Sequence, residues 1–185
     1  MNIALLVLDV QKDFIGEQAR LPVAKHQVEP MLESINTIIK KVSSKGISVV
    51  YIGNEFEPKQ FISNIFRRNS ALKGREGAEL DERLLKVNDV YFPKNKGDAF
   101  SNPELIAYLN SNGIKEIIIV GLFTEGCVSA TALGSIHHHF NTTVIKDAVA
   151  SSSDKKRLQS LNKLSSKGVS VLNSEQLFEM LSNVK

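Results

Sequence analysis

Four consecutive β-branched residues, Ile117-Ile118-Ile119-Val120, run without a polar interruption into Gly121. Such a run has no side to offer to water. It reads as a strand covered on both faces, as in parallel sheets flanked by helices. Leu122-Phe123-Thr124-Glu125-Gly126-Cys127 then reads as a tight turn, and Val128-Ser129-Ala130-Thr131-Ala132-Leu133 as a helix. The chain's one cysteine therefore falls where a strand's carboxyl end meets a helix's amino end. Unpaired N–H groups and the helix dipole at that place are expected to lower a thiol pKa. From this stretch alone, a nucleophile and a small buried residue fit Cys127 equally well.

The same grammar repeats along the chain. Ile3 to Leu8 is a first strand, ended by the carboxylate of Asp9. Residues 27–45 carry Val28, Met31, Leu32, Ile35, Ile38, Ile39 and Val42 at helical spacing, and Gly46 ends them. Ile47 to Ile52 is strand two. The polar stretch 53–86 is long for a connection and marks a functional segment or short helices, one of them amphipathic around Phe61, Ile62, Ile65 and Phe66. Arg67 and Arg68 in it suit a surface, a subunit contact or an anionic substrate. Val87 to Phe92 is strand three, followed by Pro93-Lys94. A helix capped by Ser101 or Asn102 carries Pro103 in its first turn. Glu116 to Val120 is strand four, and the helix after Cys127 runs to about Phe140, with Asn141 as a left-handed stop. Thr142 to Lys146 is strand five, a helix spans 154–167, Val169 to Leu172 is strand six, and a last helix covers 174–182. Alternating strands and helices of this kind give a three-layer α/β/α sandwich on a parallel sheet, in a single domain over residues 1–185.

Composition excludes several classes. Net charge is +3 with scattered lysines, so there is no basic stripe for nucleic acid. The apolar amino terminus is too short to span a bilayer and has neither the basic start nor the cleavage site of a signal peptide. A lone cysteine suits a reducing compartment, and a cytoplasmic location is expected. His137-His138-His139 point in different directions on a helix and read as a surface helix end, not a metal site.

Asp9, Lys94 and Cys127 each follow a strand at its carboxyl end, and a parallel sheet puts such ends on one edge. If strands one and four are neighbours where the winding reverses, Asp9 and Cys127 face each other across the crevice. Asp9 can then act as base, Lys94 can keep it ionised and stabilise a thiolate, and the N–H groups of Phe123 and Cys127 can hold an oxyanion. Phe14, Phe56 and Phe123 fit pocket walls, and fit ordinary core as well.

Three segments carry a resemblance: Leu6-Val7-Leu8-Asp9-Val10-Gln11-Lys12-Asp13-Phe14, the pattern Lys94-x-x-x-Asp98-Ala99-Phe100, and Gly121-Leu122-Phe123-Thr124-Glu125-Gly126-Cys127-Val128. In this order they resemble the signatures of the isochorismatase-like cysteine hydrolase family, and the likeness runs from Leu5 to about Ser153. It implies a six-stranded parallel sheet in the order 3-2-1-4-5-6, a triad falling on Asp9, Lys94 and Cys127, and a cis peptide at Leu122–Phe123 that aims the Phe123 N–H at substrate. It also implies a homodimer or homotetramer acting on a small molecule.

Where nicotinamidases of that family carry Asp and His for a metal, this chain reads Gly53-Asn54-Glu55-Phe56-Glu57-Pro58. Neither a metal nor another cofactor is therefore expected. True isochorismatases lack the cysteine. The expectation is a metal-independent cysteine hydrolase that cleaves a C–N bond of a small amide, ureide or carbamate. The alternatives are a vinyl-ether hydrolase of isochorismatase type and a non-catalytic binding or redox-sensing protein on the same fold. A phospho-receiver module fits poorly, because Lys94 precedes the hydroxyl residue Thr124 and no acidic pair follows strand one.

Overall fold

The computed structural model describes residues 2–182. Six parallel strands form one sheet: β1 (Ile3–Leu8), β2 (Ser48–Asn54), β3 (Tyr91–Lys94), β4 (Glu116–Leu122), β5 (Asn141–Ala150) and β6 (Ser170–Leu172). Their spatial order is β3-β2-β1-β4-β5-β6. The chain builds outward from β1 in one direction, then returns to β1's other side with β4, which leaves a crevice between the carboxyl ends of β1 and β4.

Alternation along β1 explains the three layers. Ile3, Leu5 and Val7 pack on one face with α2 (Lys25–Ser43) and α7 (Ser174–Ser182). Ala4, Leu6 and Leu8 pack on the other with α4 (Pro103–Ser111), α5 (Ser129–His137) and α6 (Asp154–Ser165). Every side chain of β1 is buried, as an unbroken apolar strand requires. No described helix is long and apolar enough to cross a membrane.

Several boundaries differ from the sequence reading. Strand three starts at Tyr91, not Val87. The Asn88 side chain bonds to Val49 O and accepts from Val90 N, so 87–90 is a side-chain-stitched turn, and Val87 N donates to the Tyr51 hydroxyl. Strand five continues to Ala150, past an irregularity where pairing jumps from Ile119–Val144 to Gly121–Val149. The helix after the cysteine stops at His137, and His139, not Asn141, takes the left-handed turn (φ 64°).

The short helix α3 (Phe61–Phe66) forms, but its apolar face is not buried. Phe61, Ile62, Ile65 and Phe66 are 70–83% exposed, whereas Asn64 points inward and donates to Glu57 O. The rest of 53–86 is closed on itself by a bridge at Phe56–Leu72 and tied to the segment after β1 by a bridge at Gln11–Leu80 and by the Asp13 carboxylate, which accepts from Ala71 N at 2.8 Å.

Candidate active site

Asp9 ends β1 in the left-handed region (φ 55°), a conformation that aspartate tolerates better than most residues. Its N–H donates to Ile52 O, and its carbonyl accepts from Gln11 N, so the turn after β1 is fixed on both sides. Lys94 is the last residue of β3, within the strand and not beyond it, and pairs in register with Asn54 at the end of β2. Cys127 lies in the turn Thr124–Val128 that joins β4 to α5.

These three side chains meet. Lys94 Nζ lies 2.9 Å from Asp9 Oδ2 and 3.2 Å from Cys127 Sγ. The Asp9 and Lys94 side chains have no exposed surface, while Cys127 keeps part of its own open. Asp9 Oδ1 is buried without a hydrogen-bond partner among the described residues. An ammonium between a carboxylate and a thiol, with one carboxylate oxygen left over, can hold charge on either neighbour as a proton moves between them.

The electrostatics correct one expectation. The Cys127 thiol is not lowered but pushed up to about 11, first by burial, then by the Asp9 charge, which together outweigh Lys94. The turn also departs from a regular helix start: Gly126 has φ −115° and ψ −106°, and the regular helix begins only at Ser129, beyond the sulfur, so Cys127 does not sit at the amino end that a helix dipole argument assumes. Burial alone would pull Lys94 down, but the Asp9 charge and the bonds to Asp9 and Cys127 raise it on balance, so it stays an ammonium.

The turn frees specific backbone donors. Phe123 O accepts from Gly126 N at 2.9 Å and Val128 N at 3.1 Å, while the Phe123 N–H has no backbone acceptor among the described residues. The Leu122–Phe123 peptide is cis. Gly121 (φ 111°) lies against the backbone of Leu8, leaving no room for a Cβ.

The other residues singled out in the sequence are placed as follows. Phe14, on α1 (Lys12–Ile15), meets the Phe123 ring edge-on at 5.5 Å. Phe56 is buried in the same apolar cluster. The Leu122 side chain is wholly buried in core. The Arg67 guanidinium lies 3.9 Å from the centre of the Phe56 ring, and its polar contact is Gln60. The histidine run is exposed, with His138 stacked on Phe100.

Two residues were missed. Asn54 Oδ1 accepts from Lys94 Nζ at 2.7 Å, and its Nδ2 lies 3.7 Å from Cys127 Sγ. Gln11, fully buried, holds Asn54 in place: its Nε2 donates to Asn54 O and its Oε1 accepts from Asn54 N, both at 2.9 Å. The signal was available, since Asn54 ends an apolar strand just as Asp9 does. The residues beside it do not fit a metal: the end of β2 offers Glu55 and Glu57 but no histidine, and no group of three or more His, Cys, Asp or Glu assembles among the described residues.

A cleft of about 250 Å³ on the β3 side, lined by Glu55, Asn95 and Asn102, touches the Lys94 backbone, while the Lys94 side chain has no surface open to it and neither Asp9 nor Cys127 lines it. A larger one, about 730 Å³, lies between α1 and residues 75–83 and touches none of Asp9, Lys94 or Cys127.

Known proteins share this arrangement of chain. A protein of Arabidopsis thaliana named "Probable inactive nicotinamidase" is 29% identical over 160 residues, covering 80% of this chain and 81% of that protein. The ureidoacrylate amidohydrolase RutB of Klebsiella pneumoniae is 25% identical over 170 residues, 78% of this chain and 72% of RutB. The crystal structure of N-carbamoylsarcosine amidase from Thermoplasma acidophilum superposes with a TM-score of 0.80 at 26% identity, covering 94% of this chain and 97% of that one. The model of the isochorismatase domain matches residues 3–176, and the chain belongs to the isochorismatase family of hydrolases.

Proposed function

We propose that the protein is a cysteine hydrolase that cleaves a C–N bond in a small amide, ureide or carbamate through a thioester on Cys127, without a metal. The observation that carries this reading is the convergence of Lys94 Nζ on both Asp9 and Cys127. Relatives named as amidohydrolase and amidase support the choice of bond.

A thiol pushed up to about 11 rests protonated at neutral pH. The nucleophile therefore forms only as it reacts. Cys127 Sγ attacks the carbonyl carbon while Asp9 takes the thiol proton. Lys94 faces the negative charge while it is on Asp9 and as it builds on the sulfur, before it passes to the carbonyl oxygen. The oxyanion sits against the N–H groups of Phe123 and Cys127. Asp9 returns the proton to the leaving nitrogen, the C–N bond breaks, and a thioester remains. Water then gives a proton to Asp9 as its oxygen attacks the thioester. The acid departs, and the proton returns to sulfur. Phe14, Phe56 and Phe123 wall the acyl group, and Asn54 keeps Lys94 aimed.

A homodimer or homotetramer is part of this reading, supported by the exposed apolar side chains of α3. Light scattering on the purified protein reads it directly.

The test is intact-mass spectrometry after incubation with a panel of small amides, ureides and carbamates, with Cys127→Ala and Lys94→Ala as controls. An adduct that requires Cys127 and decays as amine or ammonia accumulates is expected. If no adduct or product forms across the panel, and Cys127 reacts with iodoacetamide like a free thiol, the catalytic reading falls and a binding role replaces it.

A further inference from the structure

The nucleophile turn carries a carboxylate that the mechanism does not use. Glu125 lies two residues before Cys127 and is half-buried. Its Oε2 accepts from Ser151 Oγ at 2.6 Å, and its Oε1 accepts from Ser152 Oγ at 2.7 Å and Ser152 N at 3.2 Å. Burial alone would raise this carboxyl, but the bonds from Ser151 and Ser152 outweigh it and hold Glu125 below its ordinary range. Lys156 Nζ lies 3.9 Å from Oε1 and donates to Ser152 Oγ.

The clamp's far side is rigid. Ser151 is fully buried; its N–H donates to Gln27 Oε1 at 2.9 Å, and its carbonyl accepts from Ala24 N at 2.9 Å. Gln27 in turn donates to Asp154 at 2.7 Å. The carboxylate is therefore bolted, through Ser151, to α2 and to the start of α6. On the turn itself, Thr124 Oγ1 donates to Ala150 O at 2.8 Å and fixes only the turn's base. Beyond Glu125 comes Gly126, exposed and with non-helical backbone angles. The N–H groups of Gly126 and Val128 both hold Phe123 O and the Ser129 hydroxyl holds Thr124 O, so the turn closes on its own base, and Glu125 ties its outer limb to Ser151 and Ser152.

We infer that Glu125 is a positioning residue. Its clamp on Ser151 and Ser152 holds the turn so that Cys127 Sγ stays pressed between Asp9, Lys94 and Asn54. This rests on the proposed nucleophilic role of Cys127 and adds the element that sets its geometry. Two forces define that geometry at the sulfur, burial and the Asp9 charge, and both raise the thiol. A turn released from its clamp moves the sulfur toward solvent and away from Asp9. The thiol then relaxes toward its ordinary value of about 9. Loss of the clamp thus makes Cys127 easier to alkylate and worse at its reaction while the fold stays intact, and the intact fold separates this from unfolding, which also exposes the thiol.

The experiment measures the pH dependence of Cys127 alkylation by iodoacetamide in the wild type and in the Glu125→Ala, Glu125→Gln and Ser151→Ala variants. Melting temperature and near-ultraviolet circular dichroism are recorded on the same samples. The groups facing the thiol are Asp9, Lys94 and Asn54, and all stay intact. The alkylation midpoint is expected to fall by about one pH unit in Glu125→Ala and Ser151→Ala, giving about tenfold faster alkylation at pH 8. Glu125→Gln keeps an acceptor oxygen and should restore most of the wild-type midpoint. The double variant Glu125→Ala/Ser151→Ala should shift no further than either single. An unchanged midpoint in folded Glu125→Ala overturns the inference whatever happens to its melting temperature. If that variant does not fold, an unchanged midpoint in Ser151→Ala does the same. A shifted midpoint in a protein whose wild type forms no acyl adduct would remove the hydrolase reading and leave the clamp standing.

Discussion

Lys94 Nζ lies 2.9 Å from Asp9 Oδ2 with neither side chain exposed to solvent, so each charge has the other as its main compensation. Removing one partner of such a pair strands the other. Lys94→Met is expected to destabilise the fold by about 3–5 kcal/mol, and Asp9→Asn by a comparable amount. The double variant Asp9→Asn/Lys94→Met buries no charge, so it should lose clearly less than the sum of the singles. Urea unfolding of the four proteins reads the coupling. Additive losses would mean that the pair does not interact.

Asn54 tests how far Lys94 depends on neutral support. Its Oδ1 takes a 2.7 Å bond from a buried ammonium, the kind worth about 1.5–3 kcal/mol. If that bond is needed in the transition state, Asn54→Ala should lower kcat roughly 10–100-fold with little change in KM. Asn54→Asp should also act on the thiol, which loses the Nδ2 donor beside its sulfur. A second carboxylate facing the ammonium disfavours the thiolate, so alkylation of Cys127 at pH 9 should slow. Wild-type kinetics in Asn54→Ala would remove this residue from the site.

What the sequence carried, and what it did not, follows from where the information sits. Asp9, Lys94 and Cys127 were legible because each interrupts or follows an apolar run, and parallel winding sends all such ends to one edge. Asn54 obeys the same rule but was passed over, since an amide announces no chemistry until a charged partner is found 40 residues away. The thiol's direction was misread because local helix logic knows nothing of the carboxylate that the sheet places beside it. Strand three was misplaced for a related reason. Val87 looks like a strand residue, but Asn88 spends its side chain on Val49 and Val90 and turns the backbone away. The exposed face of α3 shows the limit of periodicity, which finds an apolar stripe without saying what covers it.

Gly121 ties the family of turn geometries to a single steric fact. Its φ of 111° and its contact with the Leu8 backbone leave no space for a methyl group. Gly121→Ala would push β4 away from β1 at the point where Asp9 and the nucleophile turn face each other. A loss of roughly 3 kcal/mol or more is expected from strain and the disturbed ladder together. Gly113, with φ 64° and open space around its Cβ position, is the control, since alanine there meets backbone strain alone. Comparable melting temperatures for the two variants would show that the approach of β1 to β4 is not tight.

The raised thiol has a signature in alkaline stability. Cys127 ordinarily titrates near 9, but its folded value is about 11. Between those values the unfolded chain has released the proton that the folded chain keeps. The folded state then binds more protons, and unfolding free energy falls as pH rises. Below pH 8 both states are protonated and the thiol contributes no slope. Lys94, also raised, adds a loss of the same sign at higher pH, and it is present in every variant that keeps the lysine. Cys127→Ser removes the thiol's share and nothing else that titrates. Wild type should therefore lose more melting temperature between pH 8 and pH 10.5 than Cys127→Ser does, while the two change in parallel between pH 6 and pH 8. Parallel losses across the whole range would mean that the thiol is not held up in the folded protein. The resting nucleophile would then be a far more ready thiolate than the buried contact with Asp9 allows.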